Sequence, residues 1–506
     1  MRASGVLMHI TSLPGAYGIG TMGAEAFSFV DFLKKAGQRY WQILPLSPTG
    51  YGDSPYQSCS TYAGNHYLID FEQLIQRGLL SREEVESVFW GEDPTKVDFG
   101  AQYQGRLKVL RLAYGRFTGS DDFDSFCCEN SSWLPDFALF MALKDRYQGK
   151  PWYQWEEREK FREEKALAAA RAELSDDIRF YSFVQYLFRQ QWNALRAYAH
   201  ENDVRIIGDV PIYVPYDSAD VWTASQLFQL DETLTPTNVA GAPPDYFSED
   251  GQLWGNPLYR WDVMGDDGYD WWVRRLDAAG TLYDVIRFDH FRGFESYWSV
   301  PFGDKTARNG KWIKGPDMDF IGTIQKKLPE LEMIAEDLGF LTQEVLDMRE
   351  ASGLPGMQVL GFAFDSREPS DYLPYKHIPN AVCYTGTHDN MTMRQWFDTA
   401  SEDAVAYAKE YMALTEEEGL VWGVIRTAES SACNLCIIQM QDFLDLGAEA
   451  RMNFPGTMGS NWTWRAKAGF ASDALALRIH KLTKLYGRCP EEKNEKTMNG
   501  DSINEI

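Results

Sequence analysis

Positive charge is scarce in this chain. Its 506 residues carry 49 Lys and Arg against 74 Asp and Glu, a formal net charge of −25. A surface that acidic repels phosphate backbones and anionic lipid, which argues against nucleic acid and membrane as partners. Cysteine is sparse as well, with seven residues scattered at 59, 127, 128, 383, 433, 436 and 489. An odd, dispersed set in a long chain is the pattern of free thiols in a reducing compartment. Cys433 and Cys436 make a C-x-x-C inside SACNLCIIQMQDFLDLG, a stretch that reads as a helix. With no second pair and no nearby His it points to thiols on a helix face, not to zinc. The N-terminus has no charged region followed by a long apolar stretch and a small-residue cleavage site, so no signal peptide is expected. Nor is there a run of about 18 apolar residues, so no transmembrane helix is expected and the localisation reads as cytoplasmic.

What the chain does have is apolar and aromatic mass, 44% and 14% of its residues. That is enough for about three ordinary domains or one large barrel with insertions. Eight short apolar runs start near Gly5, Arg39, Val204, Asp284, Leu331, Met357, Ala381 and Ala450, and helical patterns separate most of them. Strands alternating with helices imply parallel βα units. The expected fold class is α/β, a (β/α)8 TIM barrel over residues 1–482. A mainly helical insertion is expected at about 71–202 and an irregular lid at about 215–275. Within the insertion, Gln154–Leu174 reads as one solvated helix with pairs such as Glu156–Lys160, and Ser175 reads as the cap of the next. Residues 483–506 read as a flexible tail. Gly18-Ile-Gly20-Thr-Met-Gly23 is a literal G-x-G-x-x-G, but seven residues including Pro14 separate it from the strand before it. It fails the context of a dinucleotide site and reads as a loop before the helix of 24–36.

In such barrels chemistry sits at the C-terminal ends of the strands. Asp209, Asp289, Glu336, Asp365, His388 and Asp389 all end apolar runs. In DVIRFDHFRGFE, Arg287 and Asp289 are two apart and share a strand face. A guanidinium there favours an ionised carboxylate, the form a carboxylate nucleophile needs; the plain alternative is a structural Arg–Asp pair. Two long loops accompany these ends. The first holds Tyr51, Tyr56, Tyr62 and Tyr67 among Asp53, Ser54, Gln57 and Asn65; the second runs through GAPPDY to WGNPLY, with Trp254 and Asn256. Flat aromatic faces beside short polar groups suit a sugar. Several acids, several aromatics and no metal motif fit glycoside chemistry. Ends of neighbouring strands can supply two carboxyls about 5–5.5 Å apart, the spacing of a retaining enzyme. Asp289 reads as nucleophile and Glu336, with a raised pKa, as acid/base. Asp389 with His388 reads as the holder of sugar hydroxyls and of the distorted ring.

GDVPIYV, IRFDHFRGF, EDLG and TGTHDN, in this order, resemble the four short regions of the α-amylase clan. Together with SLPGAYGIG, the 39–65 loop, PPDYFSEDGQLWGNPLYRW and RMNFPGT they resemble the amylomaltases, the 4-α-glucanotransferases or disproportionating enzymes, from about Gly5 to Arg465. The resemblance implies a barrel interrupted by subdomains, with no β-sandwich after it. It implies transfer of a 1,4-α-glucan segment to the 4-hydroxyl of a glucose or glucan acceptor, with maltooligosaccharides as partners and no cofactor or metal. It also implies that Asp289 is the nucleophile, Glu336 the acid/base and Asp389 the transition-state stabiliser. Arg287, His388 and Asp209 would support the central sugar, and Tyr56, Ser54, Trp254, Asn256, Asp365 and His290 are the further candidates for substrate contact. Met391 stands where the family pattern has an acidic residue, and Met393 and Gln395 follow it. Two alternatives remain: a hydrolase of the same clan, and a glucan-binding protein with an inactive barrel.

Overall fold

Seven of the eight apolar runs become wall strands of one parallel sheet. The computed structural model describes residues 2–490 apart from 51, 245–247, 340, 366, 368, 369 and 458. In chain order the strands are β1 (Ala3–Leu7), β2 (Tyr40–Gln42), β3 (Arg205–Pro211), β4 (Asn238–Ala242), β5 (Gln252–Pro257), β6 (Val285–Asp289), β7 (Ser296–Pro301), β8 (Lys311–Lys314), β9 (Glu332–Ala335), β10 (Gly356–Val359), β11 (Ala381–Tyr384) and β12 (Leu435–Gln439). Eight of them pair in the order β10-β11-β12-β1-β2-β3-β6-β9. Between the two ends of that order, the Ala335 N–H donates to the Pro355 carbonyl at 2.9 Å, and the Met357 N–H donates to Asp337 Oδ1 at 2.7 Å. The result is a nearly closed (β/α)8 barrel.

The eighth strand is not where the sequence pointed. β12 lies inside the stretch read as helical and pairs in parallel with both β1 and β11, with Cys436 opposite Ser4 and Cys383. Residues 448–450 form a 3-10 turn and 451–457 run irregularly. The misreading has a physical cause. The strand is five residues long and lies between two apolar helical segments, Leu420–Ser430 and Met440–Phe443. An unbroken apolar run has neither the period of a strand nor that of a helix. Cys433 and Cys436 are therefore a loop and a strand residue, both fully buried.

Alternation along β6 sorts its residues. Phe288 packs outward on Trp272 and Phe294, so Arg287 and Asp289 turn inward. On β3, a Cβ at Gly208 would lie 2.1 Å from the Tyr283 ring. Only glycine lets Tyr283 sit on the strand there, where its hydroxyl accepts the Leu46 N–H at 3.0 Å.

The block between β2 and β3 is helical, from Phe71–Gln76 to Ser175–Glu201. Its last helix packs on β3 and on Ala24–Lys35, so it belongs to the ring of barrel helices. The single helix expected at 154–174 is broken into Glu157–Lys160 and Glu164–Glu173, with Arg162 at φ 56° between them. Its charges are not all solvated: Glu159 is buried against Arg146 and Tyr147. Ser175 is the first helical residue and makes no cap bond; Leu174 holds the cap position. The expected irregular lid contains order too. β4, β5, β7 and β8 form a second, antiparallel sheet in the order β5-β4-β7-β8. These strands are short, carry Gly, Pro and Asn, and shift register between Val239 and Gly241, which hides them from a reading by alternation.

At Gly23 the Asp70 carboxylate would stand 2.3 Å from an added Cβ and accepts from Thr21 at 2.8 Å. That negative group would repel a phosphate at the G-x-G-x-x-G loop. No described helix is long and apolar enough to cross a membrane.

The chain's end is anchored as far as residue 490, contrary to the free tail expected from 483. The helix Asp473–Leu485 packs on Ala24–Lys35. Arg488 is fully buried and donates to the carbonyls of Ala3, Glu429, Ser431, Cys433 and Asn434. Residues 491–506 lie outside the described ones. Beside Arg488, burial pushes the Glu429 carboxyl up from 4.5 to about 7. A raised carboxyl contributes stability that is fully present below its unfolded pKa and is lost as pH rises through the folded one. Glu429→Gln has no such titration. Its melting temperature relative to the unsubstituted protein should therefore rise between pH 4.5 and 8; a difference that does not change with pH would contradict this.

Candidate active site

Three neighbouring strands converge on one guanidinium. The register sets Asp209 opposite Arg287 and Phe288 opposite Ala335, so the ends of β3, β6 and β9 meet. Arg287 is 1% exposed. Its Nη1 lies 2.5 Å from Asp209 Oδ2 and 3.4 Å from Asp289 Oδ1, and its Nη2 lies 3.3 Å from Glu336 Oε2. The Arg287–Asp289 contact read from the sequence is present, but it is the longest of the three.

That division has an electrostatic consequence. One cation faces three desolvated carboxylates, with Asp389 close enough to add its own field. Asp289 is pushed well above the ordinary carboxylate range by burial first and by Glu336 second, against the pull of Arg287. Glu336 is pushed up by burial too, opposed by Arg287 and by the His290 N–H. Arg287 does pull Asp289 towards the ionised form, as its place in the sequence suggests, but burial and Glu336 oppose it. Carboxyls that share one cation titrate as a set, each added charge raising the cost of the next. A raised pKa for Glu336 agrees with the sequence reading.

The backbone after β6 serves Glu336. His290 has φ 54°, an uncommon conformation outside glycine. It turns the His290 N–H onto Glu336 Oε2 at 2.5 Å and the Phe291 N–H onto the Glu336 carbonyl at 3.1 Å. The His290 ring meets Trp254 edge-on at 4.9 Å, and burial lowers its pKa to about 3, so it stays neutral.

Tyr56 closes the opposite side. Its hydroxyl donates to Asp209 Oδ2 at 2.8 Å. Its ring stacks on His388 at 5.2 Å and 19°, and both rings lean on Trp462. His388 Nε2 lies 3.4 Å from Asp389 Oδ2. Asp389 is the most open of the acids, its side chain 42% exposed. Its Oδ1 accepts from Asn453 Nδ2 at 2.6 Å.

The remaining candidates divide. Ser54 Oγ accepts the Tyr56 N–H at 3.2 Å, and buried Asn256 accepts from Gln57 at 3.3 Å, so both brace the Tyr56 loop. Asp365 stands apart, held by Arg367 at 2.5–3.2 Å and lowered to about 2 by it. Of the tyrosines in that loop, Tyr62 stacks on Trp133 and Tyr67 is buried against His66 and Phe99; Tyr51 lies outside the described residues.

A partly buried acid pair on one guanidinium, a third acid on the loop after β11, and aromatic rings beside them have the make-up of a carbohydrate site. Residues 8–471 match the profile of the glycoside hydrolase family 77 4-α-glucanotransferases. The chain belongs to that family. It is 49% identical over 486 residues to the 4-α-glucanotransferase of Clostridium butyricum, covering 95% of this chain and all of the relative. It is 45% identical to that of Thermus thermophilus, covering 96% and 99%. Among solved structures, the amylomaltase of Streptococcus agalactiae in complex with acarbose is 41% identical and superposes with a TM-score of 0.94, covering 97% of this chain and 100% of that one.

Within this 4-α-glucanotransferase fold, residue-level reading missed Asn453 and Arg451. Both lie in RMNFPGT, where the strand expected from about residue 450 conceals a contact with Asp389. Arg451 donates to the Asp389 carbonyl at 2.9 Å and, through Nε, to the Asn453 carbonyl at 2.8 Å. Met391 is 38% exposed and touches Thr399 Oγ1 at 3.4 Å through its sulfur. It lies two residues past Asp389, on the open side of the loop.

Tyr56→Phe would leave a desolvated Asp209 with one donor fewer. The expected cost is about 1–3 kcal/mol of unfolding free energy, read by chemical denaturation. An unchanged midpoint would show that the hydroxyl does not satisfy Asp209.

Proposed function

We propose that this protein is a 4-α-glucanotransferase working by double displacement, with Asp289 as nucleophile, Glu336 as acid/base and Asp389 as transition-state stabiliser. Family membership over nearly the full chain supports the activity. The observation that carries the residue roles is the sharing of Arg287 by Asp289 and Glu336, which gathers on one side chain the two carboxyls that a retaining mechanism needs near each other.

In the productive state the pair's proton sits on Glu336. Asp289 attacks the anomeric carbon while Glu336 protonates the departing 4-oxygen of the leaving glucan. The sugar is then joined to Asp289 as an ester. An acceptor 4-hydroxyl takes the leaving glucan's place; as Glu336 removes its proton the oxygen attacks the anomeric carbon, the bond to Asp289 breaks and frees its carboxylate, and the new 1,4 bond has the original anomeric configuration. Positive charge develops on the sugar ring on the way in and on the way out. Asp389, fixed by Asn453, faces that charge. Arg287, Asp209 and His388 hold the central sugar, and Tyr56 with Trp254 supplies flat faces to it. Asp365 belongs to the same reading as a more distant sugar contact, reached once Arg367 releases it.

Transfer exceeds hydrolysis when a sugar hydroxyl is better placed than water. Orientation is worth several kcal/mol, about 7 or more in well-aligned cases, and a covered site limits water. The Tyr56 loop and the antiparallel sheet that carries Trp254 supply both.

Incubation with maltotriose tests the activity: glucose and longer maltooligosaccharides should appear together. Shorter sugars alone would favour a hydrolase, and no products at all an inactive glucan-binding barrel. Asp289→Asn should reduce turnover on the order of a thousand-fold or more. Peptide mass spectrometry of Glu336→Gln quenched on an aryl maltoside should place the glucan on Asp289; a glucan on another residue would move the nucleophile.

A further inference from the structure

The loop that carries His388 and Asp389 is held from an element with no part in the chemistry above. It leaves β11 at Thr385 and enters the helix Met393–Thr399. Inside, Asn390 Oδ1 accepts from the Thr387 N–H at 2.8 Å and the Thr387 hydroxyl at 2.9 Å, so the middle of the loop is braced on itself. Its two ends are tied by one side chain. Asp442 Oδ2 accepts from the Thr385 hydroxyl at 2.6 Å, and its Oδ1 accepts from the Met393 N–H at 2.7 Å.

Asp442 sits in the short helix Met440–Phe443 that follows β12, and it is fully buried. Burial pushes its carboxyl up to about 6, and the nearby Asp445, itself paired with Arg394, adds to the push. Among the described residues no salt bridge reaches it; the two ends of the loop are what satisfy its oxygens. A desolvated carboxylate is costly to keep there, and a surface tie would have served if stability alone were at issue. The neighbouring contact points the same way. A Cβ at Gly386 would meet Gln439 Nε2 at 2.5 Å, so the loop lies directly on the end of β12.

We propose that Asp442 is a positioning residue for the transfer reaction: it fixes both ends of the 385–393 loop and so sets where Asp389 stands relative to Asp289 and Glu336. The inference rests on the role given to Asp389 above. It acts through geometry. With the ends pinned and the middle braced, the loop moves as one piece, and Asp389 keeps its place although its side chain is partly open to the cleft.

The test uses the full-length protein with an aryl α-maltoside as donor, so that residual rates stay readable. Asp442→Ala removes both ties. Asp442→Asn keeps them, because the amide oxygen accepts the Met393 N–H and the amide nitrogen donates to the Thr385 oxygen. Asp442→Ala should lower kcat by about 10- to 100-fold, the size of a misplacement near 1 Å, with KM changed less than about threefold. Asp442→Asn should stay within about threefold of the unsubstituted enzyme, since the hydrogen bonds survive. Should Asp442→Ala fail to fold, Thr385→Val removes one tie with little change of shape and should lower kcat in the same direction by a smaller factor. In the double variant with Asp389→Asn, the loss should not multiply, because one residue acts through the other. Multiplied losses, or a full kcat in Asp442→Ala or Thr385→Val, overturn the inference. Full turnover in Asp389→Asn alone is a different failure, which removes the role of Asp389 and this inference with it.

Discussion

A single buried guanidinium facing three acids is the constraint on which the rest of this molecule depends. Arg287 cannot neutralise Asp209, Asp289 and Glu336 together. The leftover negative charge and partial burial push the Asp289 and Glu336 carboxyls above their ordinary range. A barrel is well suited to hold such a group. Parallel register brings the ends of β3, β6 and β9 together, and outward packing of residues such as Phe288 fixes which way the alternate side chains turn. Stability and reactivity therefore share a cause: the core that makes the wall rigid also makes the acids expensive to ionise.

Around that centre the supporting contacts fall into two kinds. Backbone groups serve Glu336, through the left-handed turn at His290. Side chains from distant parts of the chain serve the others: Tyr56 from the loop after β2, and Asn453 and Arg451 from the segment after β12. Backbone donors survive every substitution except proline and keep their direction. The acid that must both give and take a proton has the least adjustable partner, while the acid that faces developing charge is held by side chains on a braced loop.

Much of this was legible in the residues themselves. Apolar runs ended by acids marked the strand ends at Asp209, Asp289 and Glu336, because a wall strand must be buried and its C-terminal tip need not be; Asp365, His388 and Asp389 instead lie in loops past β10 and β11. The alternation of Arg287 and Asp289 placed both on the inner face. Other parts were hidden for definable reasons. β12 was lost because a five-residue strand between apolar helices has no period of its own. The antiparallel sheet was lost because Gly, Pro and a register shift break its alternation. Asn453 was missed because the wrong strand had been set over it. Adjacency in sequence shows that Arg287 touches Asp289, but not that Asp209 and Glu336 compete for the same guanidinium. Tyr67 and Tyr62 were read as a sugar platform, yet composition cannot tell a ring that faces the cleft from one that faces the core.

The join between β9 and β10 carries one consequence more. Elsewhere around the ring the walls are laced by ladders of paired residues; here one backbone bond and the Asp337 carboxylate span the gap. A hoop with one weak stave flexes at that stave. The seam runs along the far edge of β9, while the edge of β9 that faces β6 and Asp289 is laced. The two carboxyls that must cooperate stand on the same bank: the Glu336 N–H donates to the Phe288 carbonyl at 3.0 Å and the Phe291 N–H to the Glu336 carbonyl at 3.1 Å, so a yielding seam leaves the acid pair together.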